Sequence, residues 1–156
     1  MRAILSAGLG LALLASSANA MEAVQRVERE VVVTQADGSQ TVQRLAADEV
    51  TPGETIIYTL DYVNTQSDAV SDLVLAMPVP DEIVFDEGSA DRAGARVEYS
   101  ADGGQTFSDR LALMVRMEGG ATRSAGSEDI TTVRWTLSEA VQPGERGEVT
   151  FRGRLR

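Results

Sequence analysis

The amino-acid sequence predicts an all-β fold, a sandwich of two antiparallel sheets, on three observations. Apolar residues alternate with polar ones in a string of short segments, which is the period of a strand with one buried face. Pro-Gly and Asp-Gly pairs punctuate those segments where strands begin or reverse. Beyond residue 20, no stretch carries the 3.6-residue period of an amphipathic helix. Strands of this kind bury their apolar faces by stacking two sheets, and Trp135 marks the expected core.

The first element is not a strand. Residues 1–20 read as a secretory leader: Arg2 gives the positive start and residues 4–14 an apolar run. Ala18-Asn19-Ala20 then gives the small residues a signal peptidase needs. Such a run is too short to cross a hydrocarbon core about 30 Å thick, which takes about 20 helical residues. Cleavage is expected before Met21, leaving 136 of the 156 residues as one β-sandwich domain, 21–156. A chain of that size buries about two-thirds of the surface its unfolded form exposes, so it needs no covalent staples.

The strands follow in order. Residues of about 27–35 and 40–46 form a hairpin around Ala36-Asp37-Gly38-Ser39. Pro52-Gly53 leads into a strand that turns Ile56, Tyr58, Leu60 and Tyr62 inward and Thr55, Thr59 and Asp61 outward. Leu73, Leu75 and Met77 repeat the pattern opposite Asp72, Val74 and Ala76. Val133, Trp135 and Leu137 do so again, with Thr132, Arg134 and Thr136 outside. After Pro143-Gly144, the last strand turns Val149, Phe151 and Leu155 inward and Glu148, Thr150, Arg152 and Arg154 outward. The expected core is Tyr58, Leu60, Leu73, Leu75, Trp135, Val149 and Phe151. The segment 21–30, extended and partly apolar through Val24 and Val27, has two expected uses. It either adds to the sheet edge of a neighbouring molecule, or it is a tail or the start of its own edge strand.

Composition limits the chemistry. The chain has no Cys, hence no disulfide, no thiolate nucleophile or zinc site, and no Cys for a lipid at the cleavage point. It has no His, which removes the usual general base and the commonest metal ligand, and no Lys for a Schiff base. Carboxylate chemistry and oxygen-ligand cation sites remain. With 14 basic and 24 acidic residues, the net charge is −10, and loss of Arg2 with the leader takes it to −11. That sign disfavours nucleic acid and anionic lipid, and no second apolar segment suggests membrane insertion. The expectation is a soluble periplasmic or secreted protein, without a cofactor.

Pro52-Gly53-Glu54, followed by Ile57-Tyr58-Thr59-Leu60-Asp61-Tyr62-Val63-Asn64-Thr65, resembles the conserved-repeat family of bacterial envelope proteins, catalogued as domain of unknown function eleven. Pro78-Val79-Pro80, Gly88-Ser89-Ala90, Val133-Arg134-Trp135 and Pro143-Gly144 continue the resemblance over nearly all of 21–156. Met77 stands where that family usually has Asp or Asn, and one copy is present rather than a tandem. The resemblance implies an immunoglobulin-like β-sandwich with no assigned reaction.

Three constellations remain. Ser100-Ala101-Asp102-Gly103-Gly104-Gln105-Thr106-Phe107 resembles the Asp-box of sialidases, with Phe in the last place. Its spacing suits a turn in which Asp102 accepts from backbone amides, with Thr106 and Phe107 entering the next strand and the ring in the core. Glycosidase function would need several boxes on a propeller. The acidic pairs Asp48-Glu49, Asp81-Glu82, Asp86-Glu87 and Glu128-Asp129 could meet at one end of the sandwich, though none has the spacing of a calcium loop. Arg134, Arg152 and Arg154 form a possible ladder on neighbouring strands, paired with acids. No catalytic, cofactor-binding or metal-ligating residue is assigned. Two functional classes follow. One is a non-catalytic exported domain that binds another envelope protein or a copy of itself, or builds envelope structure. The alternative is a small carboxylate-based hydrolase or glycan-binding accessory domain, which would need two facing acids about 5–10 Å apart and an aromatic platform.

Overall fold

The structure, a computed structural model, describes residues 21–156, so the leader expected in 1–20 lies outside the described residues. The described chain is all-β. Its strands are β1 (Met21–Thr34), β2 (Gln40–Ala46), β3 (Thr55–Asn64), β4 (Val74–Pro78), β5 (Ile83–Phe85), β6 (Ala95–Ser100), β7 (Met114–Arg116), β8 (Thr122–Ser124), β9 (Thr132–Leu137) and β10 (Arg146–Leu155). Two short 3-10 turns, Arg110–Ala112 and Ser127–Asp129, are the only helical elements among the described residues. A five-stranded sheet has the order β2-β1-β3-β10-β5, a three-stranded sheet β4-β9-β6, and β7-β8 form a separate hairpin. Every pairing is antiparallel.

The alternation read from the sequence sets which side chains face the core, but on β3 the other face is covered too: Thr59, expected outside, and Ile57 beside it are buried. Ile56, Tyr58, Leu60 and Tyr62 of β3, with Val149, Phe151 and Leu155 of β10, join Leu75, Met77, Val133, Trp135 and Leu137 of the smaller sheet in one buried cluster. Trp135 is fully buried and its indole N–H donates to the Ala90 carbonyl at 2.8 Å. Tyr58 stacks on its cross-strand partner Phe151, with centroids 4.9 Å apart. Phe85 bridges from Phe151 to Tyr99 of the other sheet, edge-on to the tyrosine. Leu73 differs from expectation: it lies just before β4 and is half-buried against the cluster rather than inside it.

Two turns explain the Pro-Gly signals. In Thr51-Pro52-Gly53-Glu54 and again in Gln142-Pro143-Gly144-Glu145, the third residue takes a positive φ, +93° and +76°, as a type II turn requires. In each, the glutamate carboxylate accepts the amide of the first residue, at 2.6 Å for Thr51 and 2.7 Å for Gln142. Gly153 has a different reason. A Cβ there would lie 2.2 Å from Ile83 Cγ2 and 2.9 Å from the Val84 carbonyl, so glycine lets β5 reach β10.

The N-terminal hairpin is longer than the sequence suggests. β1 runs from Met21 rather than from about Val27; Met21 to Arg29 pair with β3, and Glu28 to Thr34 pair with β2. The segment 21–30 is therefore strand in its own sheet, the second of its two expected uses. Its main chain is already bonded to β3.

Candidate functional site

Asp102 builds the turn after β6. Its Oδ1 accepts from Ser100 Oγ (2.7 Å) and from the amides of Gln105 (3.0 Å) and Thr106 (2.9 Å). Thr106 Oγ1 donates to Oδ2 at 2.6 Å. These donors, the Thr106 hydroxyl foremost, hold the carboxyl down at about 2. The Phe107 ring does not enter the core, which corrects the expectation. Only Ser108 returns to pair with Tyr99, and the ring lies half-buried 3.9 Å beneath the Arg134 guanidinium on the outer face of the smaller sheet. A cationic cap supplies what the missing strand would have supplied.

The three arginines also part company. Arg134 lies on β9 opposite Glu98 of β6 and bonds it at 2.7 Å, with Arg96 on the same carboxylate. Arg152 and Arg154 lie on β10 in the other sheet, where Arg152 reaches Glu30 of β1 at 3.5 Å. The ladder on neighbouring strands is thus two separate acid-arginine pairings, because β9 and β10, consecutive in sequence, belong to different sheets. On that outer face Arg26 joins Asp61, Glu28 and Glu148. Arg26 holds the Asp61 carboxyl below its usual range.

Two of the four acidic pairs converge. Glu87 takes a two-pronged bond from Arg110 and a 2.6 Å bond from Ser127 Oγ, while Asp129, two residues on from Ser127, takes a two-pronged bond from Arg123. Arginine occupies the space between these carboxylates. Glu87 and Asp129 are both held below the ordinary carboxylate range by their arginine partners. Among the described residues no group of three or more acids is placed to hold a metal ion. Every carboxyl with a resolved shift moves down, the direction opposite to that of a general acid. Tyr58 and Tyr99 are pushed up to about 12 by burial.

The seven aromatic rings are all engaged in packing: six are buried and Phe107 is capped by Arg134. Asn64, also buried, is a constellation the sequence reading passed over. Its side-chain amide donates to the carbonyls of Asp68 (2.8 Å) and Val141 (2.9 Å), and its Oδ1 accepts the Gln66 amide. An asparagine closing a strand before Thr-Gln-Ser is a recognisable Asx signal.

What stays unabsorbed is surface. Past Arg29, β1 and β2 leave β3 behind and continue as a two-stranded arm. All of β2 is exposed on both faces, and the cross-strand pair Val32 and Val42 is 58% and 62% exposed. The arm's turn is held by Asp37, which accepts the amide and hydroxyl of Ser39. A second exposed apolar group, Leu111, Met114 and Met117, lies on and beside the β7–β8 hairpin. No helix among the described residues is long and apolar enough to cross a membrane. No family model, curated protein or solved structure matches the chain.

Proposed function

We propose that this chain is a non-catalytic, exported β-sandwich domain of immunoglobulin-like type, working in the periplasm or outside the cell. Its role is to bind another envelope protein or a copy of itself, or to build envelope structure. The leader signature of residues 1–20 and the resemblance to the conserved-repeat envelope family support that placement. The observation that carries the reading is the β1–β2 arm, which exposes Val32, Val42 and Leu45 on a ribbon free on both faces of β2. Exposed branched side chains grouped on an ordered strand pair are a surface for a partner. The glycan-binding and hydrolase alternative draws no support from the rings, which are committed to packing, or from Asp37, Glu54, Asp61, Glu87, Asp102 and Asp129, which are paired with arginine or locked in turns.

The test is photo-crosslinking in the native host, from a photoreactive residue replacing Val42, combined with fractionation. The expected result is export and a crosslinked band whose added mass identifies the partner. A cytosolic protein, or no crosslink from position 42 above that from a replaced Asp48, overturns the reading.

A further inference from the structure

We propose that β2 is a self-pairing edge, joining two copies antiparallel about a two-fold axis at Val42. The proposal rests on the interaction reading above and names the partner as a second copy of this chain. It begins with the hydrogen-bond phase of the arm. Ala47 N–H donates to Val27 and Gln35 N–H to Ser39, so bonded pairs bracket the hairpin at both ends of one register. In an antiparallel ladder bonded pairs alternate. Thr41, Gln43 and Leu45 therefore direct their main-chain groups at β1. Gln40, Val42, Arg44 and Ala46 direct theirs away from it, along the open margin.

That margin lacks the usual protections. β2 has no Pro, no Gly and no acid, and Arg44 is its one charge. The other margins are charged, short or interrupted: the two open flanks of β1, residues 21–27 beside β3 and 30–34 beside β2, carry Glu22, Arg26 and Glu30. β5 has three residues, β4 ends in Pro78, and Ser108 closes on the outer side of β6. In a chain of net charge −10, an acid-free edge is where two copies can meet without repulsion at the contact.

Side chains choose the register. With the axis at Val42, each Val42 faces its copy, and the cross-strand partner Val32 lies on the same face one strand further out. Four valines then form a continuous strip across β1-β2-β2-β1, covering residues that are 58% and 62% exposed in the single chain. Arg44 faces Gln40 of the copy. The two Arg44 side chains sit four residues apart along the strands, about 13 Å, beyond a screening length of about 8 Å. An axis at Arg44 would oppose the two charges directly, and one at Gln43 would split the valine strip.

The experiment uses the absence of Cys. In this register V42C meets itself across a bonded pair with Cα atoms about 5.5 Å apart, within disulfide reach, whereas Q40C lies far from its copy. V42C is expected to oxidise to a covalent dimer at least about tenfold faster than Q40C, through the local concentration the pairing creates. Sedimentation of the unaltered chain should show its mass rising toward the dimer with concentration. V42P removes a donor that faces away from β1, so monomer is expected with the β1–β2 ladder kept. V42K, which opposes two charges without touching the main chain, serves if V42P fails to fold. A monomer up to about 1 mM, or equal oxidation of V42C and Q40C, overturns the proposal. If photo-crosslinks from position 42 then still reach a different envelope protein, the pairing fails and the interaction reading stands; if they reach nothing, both fail.

Discussion

Trp135→Ala tests the fold where its energy is concentrated. The indole is fully buried between Leu75 and Val97, its cross-strand neighbours on β9's two flanks, and its N–H satisfies the Ala90 carbonyl. Truncation removes the largest buried side chain, costing about 3–5 kcal/mol through lost transfer energy and the cavity left behind. It also strands a buried carbonyl, adding about 1–3 kcal/mol. Together these approach the whole stability of a domain this size, about 5–15 kcal/mol. Trp135→Phe separates the two parts, because it keeps most of the ring and loses the N–H. Urea unfolding followed by far-ultraviolet circular dichroism measures both variants. The alanine variant should be largely unfolded or lose more than about 4 kcal/mol, and the phenylalanine variant about 2 kcal/mol. A loss below about 1.5 kcal/mol for Trp135→Ala would refute the packing described here, since only an exposed or collapsible site gives so little.

Asp102→Ala removes the acceptor that closes the turn after β6; it should lower stability by about 1–2 kcal/mol in denaturant titration without altering the β6–β9 pairing. Acid should destabilise the protein in a definite window. The carboxyls of Asp102 (about 2), Asp61, Glu87 and Asp129 are lower in the folded chain than in the unfolded one, so their contribution is present above about pH 4 and is lost as pH falls through about 2. The melting temperature by scanning fluorimetry should accordingly hold or rise slightly from pH 7 to 5, as net negative charge shrinks, then fall steeply. Asn64→Ala removes a buried side chain that ties the Asp68 and Val141 carbonyls to the Gln66 amide and should cost about 1–2 kcal/mol, against little for a replaced Thr65, in the same titration. Gly153→Ala should cost about 1–3 kcal/mol, or detach β5 as seen by amide exchange at Ile83 to Phe85.

The buried faces were legible because period two needs no knowledge of partners: Ile56, Tyr58, Leu60 and Tyr62 point inward whichever strand lies beside them. Partners were not legible. Arg134 and Arg152 look like neighbours because β9 and β10 are consecutive, yet one strand joins β4 and β6 and the other joins β3 and β5. Phe107 misled for a related reason. An aromatic after an Asp-box turn enters a core when a strand follows, and here a single bridge at Ser108 follows instead. β5 and β7 escaped notice because three residues are too few to display a period. The acidic pairs were visible as charges, but the arginines between them come from residues 110 and 123, separations that sequence spacing does not report.

The arm sets local composition against global need. A two-stranded ribbon with no sheet beneath it is marginal by itself. Here one of its strands, β1, is the rigid continuation of a strand already fixed on β3, and Asp37 sets the turn. Folding of the arm is therefore secured by β1 and by the main-chain ladder to β2, and neither depends on what projects from Val32 or Val42. Threonine would fill both places with the same β-branched shape and a better-solvated surface. Valine at directly opposed positions, exposed on the same face beside an acid-free stretch of open edge, serves nothing inside the single chain. Departures from local economy of this kind concentrate where a protein meets something else. The body of the molecule makes the same point by contrast, since its rings are covered and arginines such as Arg26, Arg110, Arg123 and Arg134 are set against acids. The arm is the part of the surface that a second strand would complete.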